Sequence, residues 1–157
     1  MRCCKVLFIC LGNICRSPTA QAVFEKKISE RKLETLITVD SCGTGSWHLG
    51  KMPDSRAVEM AGKRGYSLSH LRARKIESSD FENFDYLIVM DRENLKEVTR
   101  LLPDNFQGNL VLFSSFIADS AVVDIPDPYY GGRRGFDNVI DLVEMGSSGL
   151  LKDILGD

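Results

Sequence analysis

The chain has 157 residues, of which 43% are hydrophobic and 27% charged, and its formal net charge is −2. This near-neutral balance argues against a nucleic-acid partner and against binding to a charged membrane surface. No apolar run approaches the roughly 18 residues that a transmembrane helix needs. The short apolar start is also interrupted too early for a signal peptide. We therefore expect a single cytoplasmic domain over residues 1–157, with no membrane span.

The cysteines argue against both disulfides and metal. All five lie in the first 42 residues, and an odd, uneven set makes a poor disulfide framework. No pair has the C-x-x-C spacing of a zinc site, and the chain has only two histidines. We expect reduced thiols, no metal and no cofactor.

The most informative stretch runs from Val6 to Ala20. Its first four residues are apolar and predict a buried strand. Pro18 directly after Ser17 predicts the first position of a helix with Ser17 as its N-cap. The chain between them, from Cys10 to Ser17, must therefore turn back as a loop. Loop N–H groups next to a helix N-terminus form a nest that binds anions.

The residue types in this loop point to phosphate chemistry. Gly12 and Asn13 tolerate a positive φ, and the planar fork of Arg16 matches two phosphoryl oxygens. Cys10 begins the loop, where a helix N-terminus and a nearby cation stabilise a thiolate. The pattern predicts a thiolate that attacks phosphorus. A buried apolar cysteine on an ordinary strand is the alternative, but it leaves the neighbouring residue types unexplained.

Further apolar runs predict three more strands, at 36–39, 85–90 and 110–113, with helical patterns between and after them. This alternation predicts an α/β domain of three layers, flavodoxin-like or Rossmann-like. Its central four-stranded parallel sheet would be flanked by helices, with the phosphate-binding loop after strand one. Ligands bind beyond the carboxyl ends of such strands, where Cys10, Ser41 and Asp91 all fall.

Cleavage of a phosphomonoester leaves an alkoxide or phenoxide that needs a proton. Asp127 is our candidate acid because prolines on both sides restrict its backbone and two tyrosines follow it. Asp124 is the alternative. On its own, the stretch is also typical of a surface turn, so this prediction depends on the chemistry of the first loop.

The sequence CLGNICRSP from Cys10 to Pro18, with Asp127-Pro128-Tyr129-Tyr130-Gly131 downstream, resembles the low-molecular-weight protein tyrosine phosphatases. The resemblance implies a metal-independent hydrolysis in two steps. Cys10 attacks to form a cysteinyl-phosphate, while Asp127 acts first as acid and then as base. The phosphoryl oxygens would be held by Arg16 and by the N–H groups of the loop residues Leu11, Gly12, Asn13, Ile14 and Cys15.

The resemblance also assigns supporting residues. Ser17 would donate to the Cys10 thiolate, and Asn13 would be locked in its left-handed conformation by Ser17, Ser41 and His70. The cleft would be lined by Trp47, Tyr129 and Tyr130.

The same resemblance indicates the substrate. Ile14 favours phosphotyrosine, since threonine stands here in relatives that act on phosphoarginine. The partner would be a phosphotyrosine-containing protein, the product inorganic phosphate, and the enzyme a monomer or weak dimer. Cys42 departs from the family pattern, which usually has a small residue without a thiol here.

Three other functions fit parts of the pattern. An arsenate reductase of this fold passes a disulfide to cysteines after the third strand, but residues 43–157 contain no cysteine. A cysteine phosphocarrier of the sugar-phosphotransferase type needs neither Arg16 nor an acid. An inactive phosphopeptide-binding module would not need the complete set of nucleophile, arginine and acid.

Cys10 and Cys15 share one tight loop, which suggests a reversible disulfide that protects the nucleophile from over-oxidation. The alternative is that Cys15 is a small buried filler.

Overall fold

We describe residues 3–157 of a computed structural model. The expectation that the chain has no signal peptide concerns its first residues, of which Met1 and Arg2 lie outside the described ones. No helix among residues 3–157 is long and apolar enough to cross a membrane. The elements in chain order are β1 Cys4–Cys10, α1 Arg16–Glu30, β2 Ile37–Gly43, α2 Ser55–Gly62, α3 Asp80–Asn83, β3 Tyr86–Val89, α4 Arg92–Leu101, β4 Asn109–Leu112, a 3-10 helix Phe113–Phe116, and α5 Arg133–Leu155.

The four strands form one sheet in the order β2-β1-β3-β4, and every pair is parallel. The predicted four-stranded parallel sheet is therefore confirmed. From β1 the chain first moves to β2 on one side and later to β3 on the other. This reversal opens a crevice beyond the carboxyl ends of β1 and β3, where ligands bind in open α/β sheets.

Helices cover both faces of the sheet because alternate strand residues point to opposite sides. Val6 and Phe8 of β1 belong to the core that includes α1 and α5. Leu7 and Ile9 belong to the core on the other face, with Val98 of α4. Both faces of β1 are thus buried, and its end is held rigidly in the middle of the sheet.

Helix α1 begins two residues earlier than predicted. It starts at Arg16, and its N-cap is Cys15, which makes no side-chain capping bond. The hydroxyl of Ser17, the predicted cap, instead forms hydrogen bonds with Cys10 and Asn13. Pro18 then occupies the third helical position, where the missing N–H would have had no acceptor within the helix.

Helix α5 runs without interruption from Arg133 to Leu155, although it contains three internal glycines. At Gly149 the helix lies so close to the 3-10 helix that a Cβ atom would be 2.0 Å from the carbonyl oxygen of Phe116. The absence of a side chain therefore permits this contact.

We expect Gly149→Ala to lower the free energy of unfolding by about 1–3 kcal/mol, the usual cost of overpacking. Gly62→Ala at the end of α2 is the control, because a Cβ there meets no atom within 4 Å. It should leave stability unchanged or raise it by about 0.4–1 kcal/mol. Urea unfolding followed by circular dichroism measures both, and equal effects would contradict the close-contact explanation.

Candidate active site

The loop from Cys10 to Arg16 leaves its backbone donors unused. Within residues 3–157, the N–H groups of Leu11 to Cys15 donate to no protein acceptor. Those of Arg16 and Ser17 lie in the first turn of α1, where no intrahelical acceptor exists. Together they are consecutive unpaired donors at a helix N-terminus, which is a type of site that binds phosphate.

Asn13 fixes the shape of this loop. Its φ of 57° is one of two positive values at non-glycine residues in the described chain. Its amide nitrogen Nδ2 donates to Ser17 Oγ at 2.8 Å and to Ser41 Oγ at 3.0 Å. Its Oδ1 accepts from the backbone N–H of Arg74 at 3.0 Å. Three hydrogen bonds thus hold a conformation that is otherwise unfavourable.

His70, which the resemblance places beside Asn13, makes none of these three hydrogen bonds. His70 is exposed and lies in a surface depression with Gln21 and Glu25. The main chain takes its place at Asn13, because Arg74 is drawn to the loop by the bond from Gly43 N to Arg74 O at 2.8 Å. Ser41 continues the network by donating to Gln21 Oε1 at 2.7 Å.

The end of β2 supports the loop from beside it. Thr44 N donates to Cys10 O and Gly45 N to Leu11 O, each at 2.9 Å. Gly43 lies so close that a Cβ there would be 2.7 Å from Leu11 O. Any side chain at this position would push the loop away from β2.

Cys10 ends β1 at the base of the loop and is 2% exposed. Its Sγ lies 3.0 Å from Ser17 Oγ. Because Ser17 Oγ accepts from Asn13, its one hydrogen is available to the Cys10 sulfur, with Cys42 O at 3.3 Å as the other acceptor. This geometry suits a hydroxyl that stabilises a thiolate.

The neighbouring cysteines are held as neutral thiols. Burial, followed by the charges of Asp54 and Cys10, raises the pKa of Cys15 far above its ordinary value. Burial likewise raises the pKa of Cys42. Cys42 packs with Leu7 and Ile9 in the core on the other face of the sheet, which accounts for its presence.

Arg16 is a buried guanidinium with three oxygen partners. Its Nη1 donates to Asp91 Oδ2 at 2.5 Å and to Ile125 O at 3.0 Å. Its Nη2 lies 3.6 Å from Asp127 Oδ2. Burial alone would lower the pKa of Arg16, but the charges of Cys10, Asp91 and Asp127 outweigh it and raise that pKa.

The two candidate acids lie in different surroundings. Asp127 lines the cavity above Cys10, and its Oδ1 accepts from Tyr129 N at 3.0 Å. Asp124 lies outside that cavity and pairs with Arg92 at 3.0 Å. That hydrogen bond lowers the pKa of Asp124 and favours its charged form. Only Asp127 is brought together with Cys10 and Arg16.

The cavity has a volume of about 410 Å³ and an aromatic mouth. Trp47 and His48 border it on the β2 side, and Tyr129 and Tyr130 on the acid-loop side. The His48 and Tyr129 ring centroids are 6.2 Å apart, and Tyr130 is 95% exposed. The mouth of the cavity is therefore lined by aromatic rings, while its base contains Cys10 and Arg16.

The whole chain matches known proteins. The family model for low molecular weight phosphotyrosine protein phosphatase matches residues 5–157. The chain belongs to this family. A low molecular weight phosphotyrosine protein phosphatase of Schizosaccharomyces pombe is 46% identical over 152 residues, which are 96% of each chain.

Solved structures agree with the phosphatase assignment. A protein tyrosine phosphatase from Entamoeba histolytica has a TM-score of 0.92 and 40% identity over 98% of each chain. A Drosophila arginine phosphatase has a TM-score of 0.90 and 31% identity, over 96% of this chain and 97% of its own.

Several residues of this phosphatase site were not predicted. His48 directly follows Trp47 in sequence, and this proximity to a predicted cleft residue could have placed His48 at the cavity. Asp91 was expected at the ligand-binding edge of the sheet, but its ion pair with Arg16 was not predicted. The support from Arg74 and Gln21 left no sequence signal, because it depends on how distant segments pack.

We expect Asn13→Ala to lower kcat on p-nitrophenyl phosphate by about tenfold or more, since a small misplacement of catalytic groups is costly. Lys32→Ala is the control, because Lys32 has φ 58° but lies exposed after α1. It should leave kcat unchanged. Similar losses in both variants would mean that backbone strain, rather than loop support, is responsible.

Proposed function

We propose that this phosphatase hydrolyses phosphotyrosine in protein substrates, with Cys10 as nucleophile, Arg16 as phosphate ligand and Asp127 as acid and base. The observation that carries the proposal is the convergence of these three side chains on one cavity with an aromatic mouth. The buried thiol suits an aryl phosphate, whose length lets the phosphoryl group reach the base.

In the first step the Cys10 thiolate attacks phosphorus while Arg16 and the loop N–H groups hold the other oxygens. The bond from phosphorus to the phenolic oxygen breaks, and Asp127 gives its proton to that oxygen. The products are free tyrosine and a cysteinyl-phosphate.

In the second step the Asp127 carboxylate takes a proton from water, and the oxygen of that water attacks phosphorus. The phosphorus–sulfur bond breaks, inorganic phosphate leaves, and Cys10 returns as a thiolate. The Ser17 hydroxyl, 3.0 Å from the sulfur, stabilises the departing thiolate.

The proposal includes the cellular setting. The buried thiols of Cys10, Cys15 and Cys42 fit a reducing cytoplasm, and the net charge of −2 gives no reason for nucleic-acid binding. The enzyme would act as a monomer or weak dimer.

We expect p-nitrophenyl phosphate hydrolysis to persist in EDTA and to be abolished by Cys10→Ser. Asp127→Asn should slow hydrolysis of phenyl phosphate, a poor leaving group, by about 10²–10⁴-fold, the usual contribution of a general acid. Asp124→Asn should have a smaller effect. If Asp124→Asn were the slower variant, the acid would be Asp124.

Substrate class is tested separately, because one structural neighbour is an arginine phosphatase. We expect the enzyme to release phosphate from a phosphotyrosine peptide much faster than from matched phosphoserine or phosphoarginine peptides. Ile14, which borders the cavity with an apolar side chain, favours an aryl group. Preferred release from phosphoarginine would contradict this assignment.

A further inference from the structure

The segment that carries Asp127 is tied to the start of α4 by one charged pair. Asp124 Oδ1 accepts from the backbone N–H of Arg92 at 2.9 Å, and Asp124 Oδ2 accepts from Arg92 Nη2 at 3.0 Å. Arg92 Nε adds longer contacts of 3.3 Å to both oxygens. The guanidinium therefore contacts both oxygens of the carboxylate. This geometry fixes the orientation of the Asp124 carboxylate as well as its distance from Arg92.

Little freedom remains between this pair and Asp127. The next residue, Ile125, donates its N–H to Met90 O at 2.8 Å and accepts from Arg16 at 3.0 Å. Pro126 then has a restricted φ. The place of the Asp127 backbone is consequently set by where Asp124 and Ile125 are anchored.

A second arginine holds the other end of the segment. Arg56 of α2 donates to Tyr129 O at 2.7 Å and to Gly131 O at 3.0 Å. Arg56 also lies over the Tyr129 ring, at 5.6 Å from its centroid. Arg92 differs from Arg56 because it lies away from the cavity and from the aromatic walls. Its hydrogen bonds to the acid segment go to Asp124, although Asp127 borders the same neighbouring depression.

We propose that Arg92 is a positioning residue for the general acid, holding Asp127 in place through Asp124. The inference rests on the proposed role of Asp127. Arg92 does not line the cavity that contains Cys10, so we expect it to affect the proton transfers of Asp127 and not phosphate binding.

The exposure of the Arg92–Asp124 pair predicts that breaking it affects the reaction rate more than the stability of the protein. The Arg92 side chain is 68% exposed, and ion pairs of this kind contribute little to stability. The position of a catalytic carboxyl is far more sensitive, because an error of about 1 Å can cost about 10²-fold in rate. We therefore expect a small change in melting temperature and a selective loss in rate.

The test compares Arg92→Ala with Arg100→Ala, which removes another exposed arginine of α4 that pairs with Glu97 at 2.6 Å. We expect Arg92→Ala to lower kcat/KM, which reports the first step only, by about 5–10-fold on phenyl phosphate, less than the whole contribution of an acid. On p-nitrophenyl phosphate, whose leaving group needs less protonation, kcat/KM should hardly change. Arg100→Ala should change neither value, and Arg92→Lys should restore only part of the loss, because lysine keeps the charge but not the forked contact.

A double variant separates positioning from general damage. In an Asp127→Asn background, Arg92→Ala should cause no further loss, because the group through which it acts is already disabled. An additive loss, or an equal loss on both substrates, would overturn the proposal. Should Arg92→Ala fail to fold, Arg92→Gln and Asp124→Asn carry the same test, since each breaks the charged pair from one side.

Failure of the proposed function gives a different result. If Asp127→Asn itself retained full activity on phenyl phosphate, the acid assignment would fail. If Asp127→Asn were slow and every variant of the Arg92–Asp124 pair behaved as wild type, the positioning role alone would fail.

Discussion

The buried charge of Arg16 is the constraint on which the site depends. Moving a guanidinium out of water costs several kcal/mol unless carboxylates and carbonyls replace its hydration. Here Asp91 at the end of β3, Ile125 O and Asp127 supply those oxygens. The requirement to satisfy one cation therefore draws together the first loop, the third strand and the acid segment. Asp91 lies 75 residues after Arg16 in sequence, and Ile125 lies 109 residues after it.

The parts of the site that could be predicted from sequence are those determined by short-range rules. A buried strand, a loop with Gly12 and Asn13, and a helix start can all be predicted within one stretch, and so can the positions of Cys10 and Arg16 at the two ends of that loop. Asp127 was identifiable only because the first loop requires an acid. The parallel sheet followed from the alternation of strands and helices.

The errors have a common physical origin. Ser17 is a good capping residue by local preference. Its hydroxyl instead makes buried hydrogen bonds with Cys10 and Asn13, so it does not cap the helix. His70 was expected at Asn13, yet a backbone N–H that is already fixed by pairing with Gly43 reaches it instead. In each case a tertiary contact, invisible in local sequence, decides the outcome.

The proposed acid differs from the nucleophile in how it is held. Cys10 is almost fully enclosed, whereas the Asp127 side chain is 40% exposed. This contrast fits a two-step reaction in which water must be kept from the first attack but admitted for the second. A carboxyl at the mouth can meet both the leaving oxygen and an incoming water, provided that its backbone does not move. Anchors at Asp124 and Tyr129, on either side of it, supply that fixed backbone while leaving the carboxyl itself accessible.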